Sequence, residues 1–569
     1  MAVIVMAMLI SIPSVLAQTV NVRGKVVDET GQPVISAGIM EKGTSNGTIT
    51  DMDGNYSISI KPGATLVFSY IGFETQEVAN ARGVTDVILR EDRKVLEEVV
   101  VVGYGVQKKS DLTGAISQVK SEDIEHRTIT SAAQALQGKT AGVQVLTNSA
   151  APGASPNILI RGVSSNSSSA PLYVIDGRIG SIAGIDPNDI ESMEVLKDAA
   201  SAAIYGVAAG NGVILVTTRK GRGNGTISYD YQYTTQSLAR VPHMMNSEQW
   251  IQYFTEAGLL NMDKVNQYWD FKTNTDWTRE AFENSLMQHH NLSFSSGDEK
   301  GTLFVSGSYL DNNGMIKGDS DIYSRLTGMI NATRNIKPWL EIGTNNQIEY
   351  YKSRSVSEGS EYGSFLLSVL QLDPLTPVSY NVNNLPDYLK EVYDDPSMPE
   401  LLGDGNGNIW APSQFVTGEN IHPFVSRDSN YSTSRGFNIN GSTYVNFKPI
   451  KGLVFTSRVG YMFGSSESYG YANDYYYSSQ KANDLLSVSA STYANTYWQW
   501  ENFANYNHTF KGGHNFNAMV GMSFSESRSF GVSGSIKGSG WNEDHTSFDS
   551  GFKKDDPLFL FFSQKTNSS

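Results

Sequence analysis

Long stretches of this chain alternate apolar and polar residues with a period of two. In 226–234, Ile227, Tyr229, Tyr231 and Tyr233 share one face, and Ser228, Asp230, Gln232 and Thr234 the other. In 436–448, Phe437, Ile439, Val445 and Phe447 line up. After a turn at 449–452 so do Leu453, Phe455, Val459, Tyr461 and Phe463. Phe516, Ala518, Val520, Met522 and Phe524 repeat the pattern. This period marks strands with two unlike faces. From 225 to about 525 it predicts long strands with aromatic ends, tight turns on one side and long polar loops on the other, as in an outer-membrane barrel. A soluble sandwich array or a propeller fits the periodicity equally well. From 526 to 569 the chain turns Gly/Ser-rich and then breaks at Asp555-Asp556-Pro557 into a polar end.

Upstream the strands are shorter. In 20–90, Val20, Val22, Val26 and Val27 begin a strand, and Tyr56, Ile58 and Ile60 alternate with serines. Turns fall at 28–33 and 51–55, and 65–70 and 84–89 read as further strands, which together suggest a small sandwich. Residues 106–220 are mixed. A short helix is expected at 131–137 with Ser131 as N-cap and Gly138 as its stop. Short strands are expected at 143–146, 158–161, 172–175, 190–197 and 213–217, with a helical turn at 199–205.

Between these blocks lies Glu97-Glu98-Val99-Val100-Val101-Val102-Gly103-Tyr104. Its β-branched run favours extended backbone. Such a segment is either a buried strand or one that adds itself to a partner's sheet edge.

Composition narrows the partners. The net charge of −15 speaks against nucleic acid, which requires a cationic surface. Cysteine is absent, so disulfides, thiol nucleophiles and cysteine-ligated metals are excluded. Residues 1–17 read as a signal peptide, although no basic residue precedes the apolar core, so the true start is expected upstream. That run is too short to anchor a helix, and any membrane crossing falls to a barrel.

No catalytic set emerges. Gly43-Thr44-Ser45-Asn46-Gly47 matches a nucleophile elbow in letters, but strands surround it and a turn is expected. Gly138-Lys139-Thr140 is half a phosphate loop without its first glycine, and reads as a helix stop leading into a strand. Asp51, Asp53 and Asn55 resemble a calcium loop, yet Gly54 falls too early, and a turn is expected. His289-His290 could hold a metal but reads better as a wall or loop pair.

Ordered motifs carry a resemblance. They run Ala135-Leu136-Gln137-Gly138-Lys139-Thr140-Ala141-Gly142-Val143, Pro152-Gly153-Ala154-Ser155, Ile160-Arg161-Gly162 and Pro171-Leu172-Tyr173-Val174-Ile175-Asp176-Gly177. They continue through Asp189-Ile190-Glu191-Ser192-Met193-Glu194-Val195-Leu196-Lys197-Asp198, Ala203-Ile204-Tyr205-Gly206 and Asn211-Gly212-Val213-Ile214. Nearly the whole chain resembles the SusC/RagA-like TonB-dependent transporters of Bacteroidetes-type bacteria. The resemblance implies a mainly β chain in four parts after the signal peptide. These are an Ig-like or transthyretin-like, carboxypeptidase-regulatory-like sandwich (18–92), a TonB box region (93–105), a mixed α/β plug (106–220) and an antiparallel transmembrane barrel (221–569). It assigns TonB binding to Glu97, Glu98, Val99, Val100, Val101, Val102, Gly103 and Tyr104. It assigns plug motifs to Arg161, Gly162, Asp176, Gly177, Lys197, Asp198, Tyr205, Gly206, Asn211 and Gly212. Two departures stand out. Val207-Ala208-Ala209-Gly210 replaces a family stretch that carries an arginine. And only 345 residues follow Asn224, short of a barrel of about 22 strands, so an incomplete barrel is expected.

The family further implies outer-membrane nutrient import without covalent chemistry, cofactor or metal. Its partners would be TonB with its ExbB/ExbD motor, a SusD-like surface lipoprotein, outer-membrane lipid, an oligosaccharide or peptide substrate, and a dimer of transporter–lipoprotein pairs. Substrate residues are not identifiable from the sequence. The alternative is a cell-surface glycan-binding or adhesion protein without transport. A hydrolase would need a placed acid/base pair or metal set, which the sequence lacks.

Overall fold

The computed structural model describes residues 19–28, 31–44, 46–70, 73, 75–90, 99–102, 105–108, 116–125, 127–166, 168–198, 203–358, 364–416, 421–510, 514–538 and 559–568. The expected signal peptide, Glu97, Glu98, Gly103 and Tyr104 lie outside these residues. The described chain divides into two compact units.

The first unit is a sandwich of seven short strands: β1 (Val20–Val27), β2 (Gly38–Glu41), β3 (Gly47–Ile49), β4 (Asn55–Ile60), β5 (Leu66–Ser69), β6 (Gln76–Val78) and β7 (Val87–Ile88). Its sheets have the orders β4-β1-β7 and β3-β2-β5-β6. Tyr56, Ile58 and Ile60 point inward as their alternation predicts and meet Val22, Val26, Ile39, Leu66 and Phe68. Asp51 turns the chain before β4. Its Oδ1 accepts the backbone N–H groups of Asp53 (3.0 Å) and Asn55 (2.7 Å). Next in sequence, β8 (Val99–Val102) and β9 (Gly105–Lys108) form a two-stranded sheet of their own.

The second unit begins with the plug. It contains β10 (Ile116–Lys120), β11 (Val143–Leu146), β12 (Asn157–Ile160), β13 (Leu172–Ile175), β14 (Arg178–Ile179), β15 (Ile190–Leu196) and β16 (Val213–Thr218). A mixed sheet of order β10-β15-β16-β13-β14 and the hairpin β11-β12 enclose Val119, Leu136, Ile158, Ile160, Ile190, Met193, Val195, Ile214 and Val216. The expected helix at 131–137 is a 3₁₀ turn, Ala132–Leu136, with Ser131 Oγ accepting the Ala133 N–H at 3.2 Å. The segment leaves helical backbone at Gln137 (ψ 120°), just before Gly138, and closes as a short 3₁₀ piece.

The wall follows. Its strands are β17 (Thr226–Gln236), β18 (Ser285–Asp298), β19 (Gly301–Asn313), β20 (Ile322–Lys337) and β21 (Leu340–Arg354). After the short outer pair β22 (Ser379–Asn381) and β23 (Asn408–Trp410) come β24 (Asn430–Ile450) and β25 (Leu453–Ala472). A second short pair, β26 (Tyr475–Ser478) and β27 (Lys481–Asn483), precedes β28 (Leu486–Thr509), β29 (Asn515–Gly538) and β30 (Phe559–Ser568). Ten of these make one antiparallel sheet in the order β17-β18-β19-β20-β21-β24-β25-β28-β29-β30. The strand pattern therefore continues past 525. The Gly/Ser-rich residues after it still alternate, and β29 pairs with β28 from Thr509 to Leu486.

The sheet is inverted relative to a soluble β-protein. Its exposed face carries Leu292, Phe294, Leu326, Ile330, Ile348 and Val445, while His289, Asn291, Ser306, Ser308, Asn331, Gln347 and Glu349 are buried against the plug. An apolar exterior around a polar interior is the arrangement lipid requires. It separates a barrel wall from the sandwich array and the propeller. Among the described residues no helix is long and apolar enough to cross a membrane. Short turns at 299–300, 338–339 and 451–452 mark one end of the wall; the long connections at 237–284 and 355–429 mark the other. Helices Ser247–Glu256, Trp277–Ala281, Phe365–Gln371 and Pro423–Asp428 lie in those connections, and Trp277, Phe365, Val369, Trp410 and Phe424 form their core.

Candidate functional site

The plug motifs fall into two groups. Asp176 and Gly177 form the two-residue turn between β13 and β14, at φ +49° and +80°. Asp-Gly favours this turn because both positions need positive φ. The Asp176 carboxylate then accepts Thr218 N–H (3.0 Å) and Thr218 Oγ1–H (2.6 Å), tying the turn to the end of β16. Arg458 of β25 donates through Nη1 to the Gly177 carbonyl at 2.6 Å, so the tip touches the wall. A Cβ on Gly177 would lie 2.5 Å from that guanidinium nitrogen.

The other group sits at the opposite end of β13 and β16. Arg161 (φ +60°) precedes Gly162 (φ +90°) and pairs with Asp198. Asn211 accepts Ser164 Oγ–H at 2.6 Å and donates to the carbonyls of Ser168 (3.1 Å) and Ala170 (3.3 Å). Gly212 (φ +87°) lets Ile160 pack closely, since a Cβ would lie 2.8 Å from Ile160 Cδ1. Lys197 Nζ donates to Ser117 Oγ at 2.5 Å, linking β15 to β10. Tyr205 packs beside Leu196, Val213 and Leu215, Gly206 takes φ +63°, and Val207, where the family carries a different stretch, is fully exposed. Apart from the Gly177 carbonyl, these residues shape the plug, and the seam is built by others.

The seam centres on a 3₁₀ turn, Pro187–Asp189, capped by Asp186. His289 Nε2 of β18 lies 2.7 Å from Asp186 Oδ2, and Ser306 Oγ of β19 donates to Asp189 Oδ2 at 2.7 Å. Both carboxylates are buried. Burial resists ionisation of Asp186, but the hydrogen bond and charge of His289, with the Arg325 charge, hold its carboxyl below the usual range. Burial pushes Asp189 up to about 7 and the Asp186 charge adds to it, while Ser306, Asn291 and Arg219 pull the other way. Further along, Asn331 Nδ2 donates to Thr218 Oγ1 (2.7 Å) and to the Arg219 carbonyl (2.8 Å). The histidine pair thus splits: His289 faces the plug, and His290 faces outward beside Tyr229, 2.8 Å from its hydroxyl.

Above the seam is a cavity of about 550 Å³, lined by Tyr323, Arg325 and Glu349 of the wall and by plug loops around Gly153, Ser168 and Gly184. Tyr323 and Arg325 lie near the long-connection end of β20, so the cavity belongs to the outer half of the wall. Glycine allows the loops to approach: a Cβ on Gly153 would lie 2.4 Å from the Tyr323 ring, and one on Gly184 2.6 Å from the Glu349 carboxylate. Asp186, Arg325 and Glu349 carry no local motif; Asp189 opens one of the plug motifs, but nothing in it pointed to a wall partner 117 residues away. The only available signal was polar residues on the inward face of strands with an apolar outward face.

Ten wall strands, apolar outside, with a plug of strands and 3₁₀ turns hydrogen-bonded to their polar face, have the architecture of a plugged outer-membrane β-barrel. The TonB-dependent receptor plug domain family matches residues 108–213, and the CarboxypepD_reg-like domain family matches 22–101. TonB-dependent receptor P39 of Formosa agariphila is 32% identical over 515 residues, 88% of this chain and 46% of that protein. TonB-dependent receptor SusC of Bacteroides thetaiotaomicron is 36% identical over 387 residues, 64% of this chain and 37% of that protein. The RagAB peptide importer in its open-open state superposes with a TM-score of 0.68 at 25% identity, covering 82% of this chain and 53% of that one. The chain belongs to the SusC-like TonB-dependent receptors, a class of outer-membrane proteins. It spans about half the length of the relatives it matches.

Proposed function

We propose that this chain supplies the plug and a large part of the wall of an importer that carries an oligosaccharide or peptide across the outer membrane. The observation that carries this reading is the inverted sheet with a separate domain bonded to its inner face. Closed into a barrel by further strands, such a wall would separate two aqueous spaces and open only when the inner domain moves. Substrate would enter from the long-connection side, beneath a SusD-like lipoprotein, and settle in the cavity beside Tyr323, Arg325 and Glu349. Residues 97–104 would pair with TonB by strand addition, the valine run supplying the added strand. The ExbB/ExbD motor would draw on the inner-membrane potential, worth about 2.3 kcal/mol per charge per 100 mV, because the outer membrane sustains none. Two such transporter–lipoprotein pairs would assemble as a dimer. The chemistry would be binding and displacement, with no bond made or broken.

The test is deletion of residues 97–104. Uptake of the cognate nutrient should stop while the protein still reaches the outer membrane with the heat-modifiable gel mobility of a folded barrel. Unchanged uptake or growth with retained ligand binding would point to the adhesion reading instead.

A further inference from the structure

The plug is held to the wall by a pair of acids three residues apart, both sealed from solvent. Asp186 and Asp189 are 1% and 2% exposed. Each faces a different wall strand, Asp186 to His289 on β18 and Asp189 to Ser306 on β19. The charged and titratable groups around them are few. Arg325 approaches Asp186 from β20, Arg219 approaches Asp189 from beyond β16, and Asp230 of β17 lies 3.5 Å from the Asn188 amide in the same turn. Asp189 Oδ1 makes no hydrogen bond among the described residues. Two neighbouring carboxylates in such a site cannot both ionise without cost, since a second negative charge is neither hydrated nor separately paired.

We propose that the 186–189 turn is a proton-operated latch: the plug sits firmly on the wall while the two carboxyls retain one proton, and its grip slackens when both are charged. The sign follows from linkage. Asp189 binds its proton more tightly in the docked turn than it would in water, so protons favour docking. The hold is complete only below the ordinary carboxylate range and is lost progressively as pH rises from there through about 7. Asp186 acts in the opposite sense and only in acid, because its carboxyl is held below the usual range. The latch is thus tightest in mildly acidic surroundings and loosest in alkaline ones. Pulling on the upstream segment would then displace the plug more readily as external pH rises.

The experiment is hydrogen exchange of the full-length protein in detergent, followed at the Pro187–Asp189 turn and β15, with the intrinsic pH dependence of exchange removed. In the wild type, protection there should fall by about tenfold between pH 6 and 8, the change a single site titrating near 7 produces. Asp189→Asn, which cannot ionise, should hold its protection within twofold over that range. Ser306→Ala removes a hydrogen bond that favours the charged form and should move the midpoint upward. If Asp189→Asn fails to fold, the Ser306→Ala shift decides. A flat wild-type profile, the wild-type decline persisting in Asp189→Asn, or an unmoved midpoint in Ser306→Ala would each overturn the latch.

Discussion

Asp176 takes φ +49°, a backbone region that Asp and Asn tolerate better than β-branched residues do. Its carboxylate repays that conformation by accepting two hydrogen bonds from Thr218, whose hydroxyl in turn receives Asn331 of the wall. One side chain therefore sets a turn, closes the end of a strand and prepares a wall contact. Asp176→Ala removes all three, leaving the Thr218 N–H unsatisfied, and should cost about 1–3 kcal/mol. The loss should appear as faster hydrogen exchange in β13 and β16, with Asp176→Asn less affected because its carbonyl oxygen still accepts. Exchange unaltered in both strands would mean that water replaces the carboxylate. Asp176-Gly177 was in view only as the end of a motif carrying the resemblance, and the turn it makes was not predicted. Nor was its hydroxyl partner, 42 residues away. Asp186 and His289, 103 residues apart, were further out of reach, because nothing local marks a buried carboxylate before the fold brings its donor to it.

The wall strands were the most legible elements, and the physical reason is their solvent. Lipid on one side and a polar lumen on the other impose alternation on every strand, so 226–234 and 453–463 declare themselves without neighbours. Weaker signals failed where one face is not apolar. β2 turns Ile39 and Glu41 inward, only one of them apolar, and was not expected. The 3₁₀ turn at Ala132–Leu136 was read as a helix because a cap and a stop do not fix hydrogen-bond period over five residues. β18, β20 and β28 are rich in Asn, Ser and Thr on their inner faces, which resemble loop residues until the outward Leu292, Ile330 and Trp498 are counted with them. Ile330 tests the assignment of faces. It lies on the outward side of β20 between Leu326 and Arg334, near the middle of the apolar band. Ile330→Arg should destabilise the wall by about 2–4 kcal/mol, measured by reversible unfolding into urea in the presence of lipid vesicles. A change below 1 kcal/mol would place this face in water.

At the scale of the whole molecule, plug and wall hide their apolar groups in different places. The plug buries its own: among the described buried hydrophobic residues of its core, only Phe304 and Met329 come from the wall. The wall presents its apolar residues to lipid and keeps Asn291, Ser308, Thr327, Gln347, Asn440 and Ser442 inside. Those inner groups lose little if water replaces the plug, because polar side chains hydrogen-bond to water as well as to protein. Exposing Phe304 and Met329 would cost about 1.5–3 kcal/mol each, small beside the lipid-facing area that holds the strands. The seam is therefore mainly a polar contact, with few apolar groups shared across it. Deleting residues 116–218 from the full-length protein should leave a wall that still inserts and migrates as a folded barrel. It should become a permanently open channel, with stepwise conductance in planar bilayers that the intact protein lacks. An unfolded or non-conducting product would mean that the wall depends on plug contacts for its own stability, and the inner polar rows would then have to be read as half of a shared core.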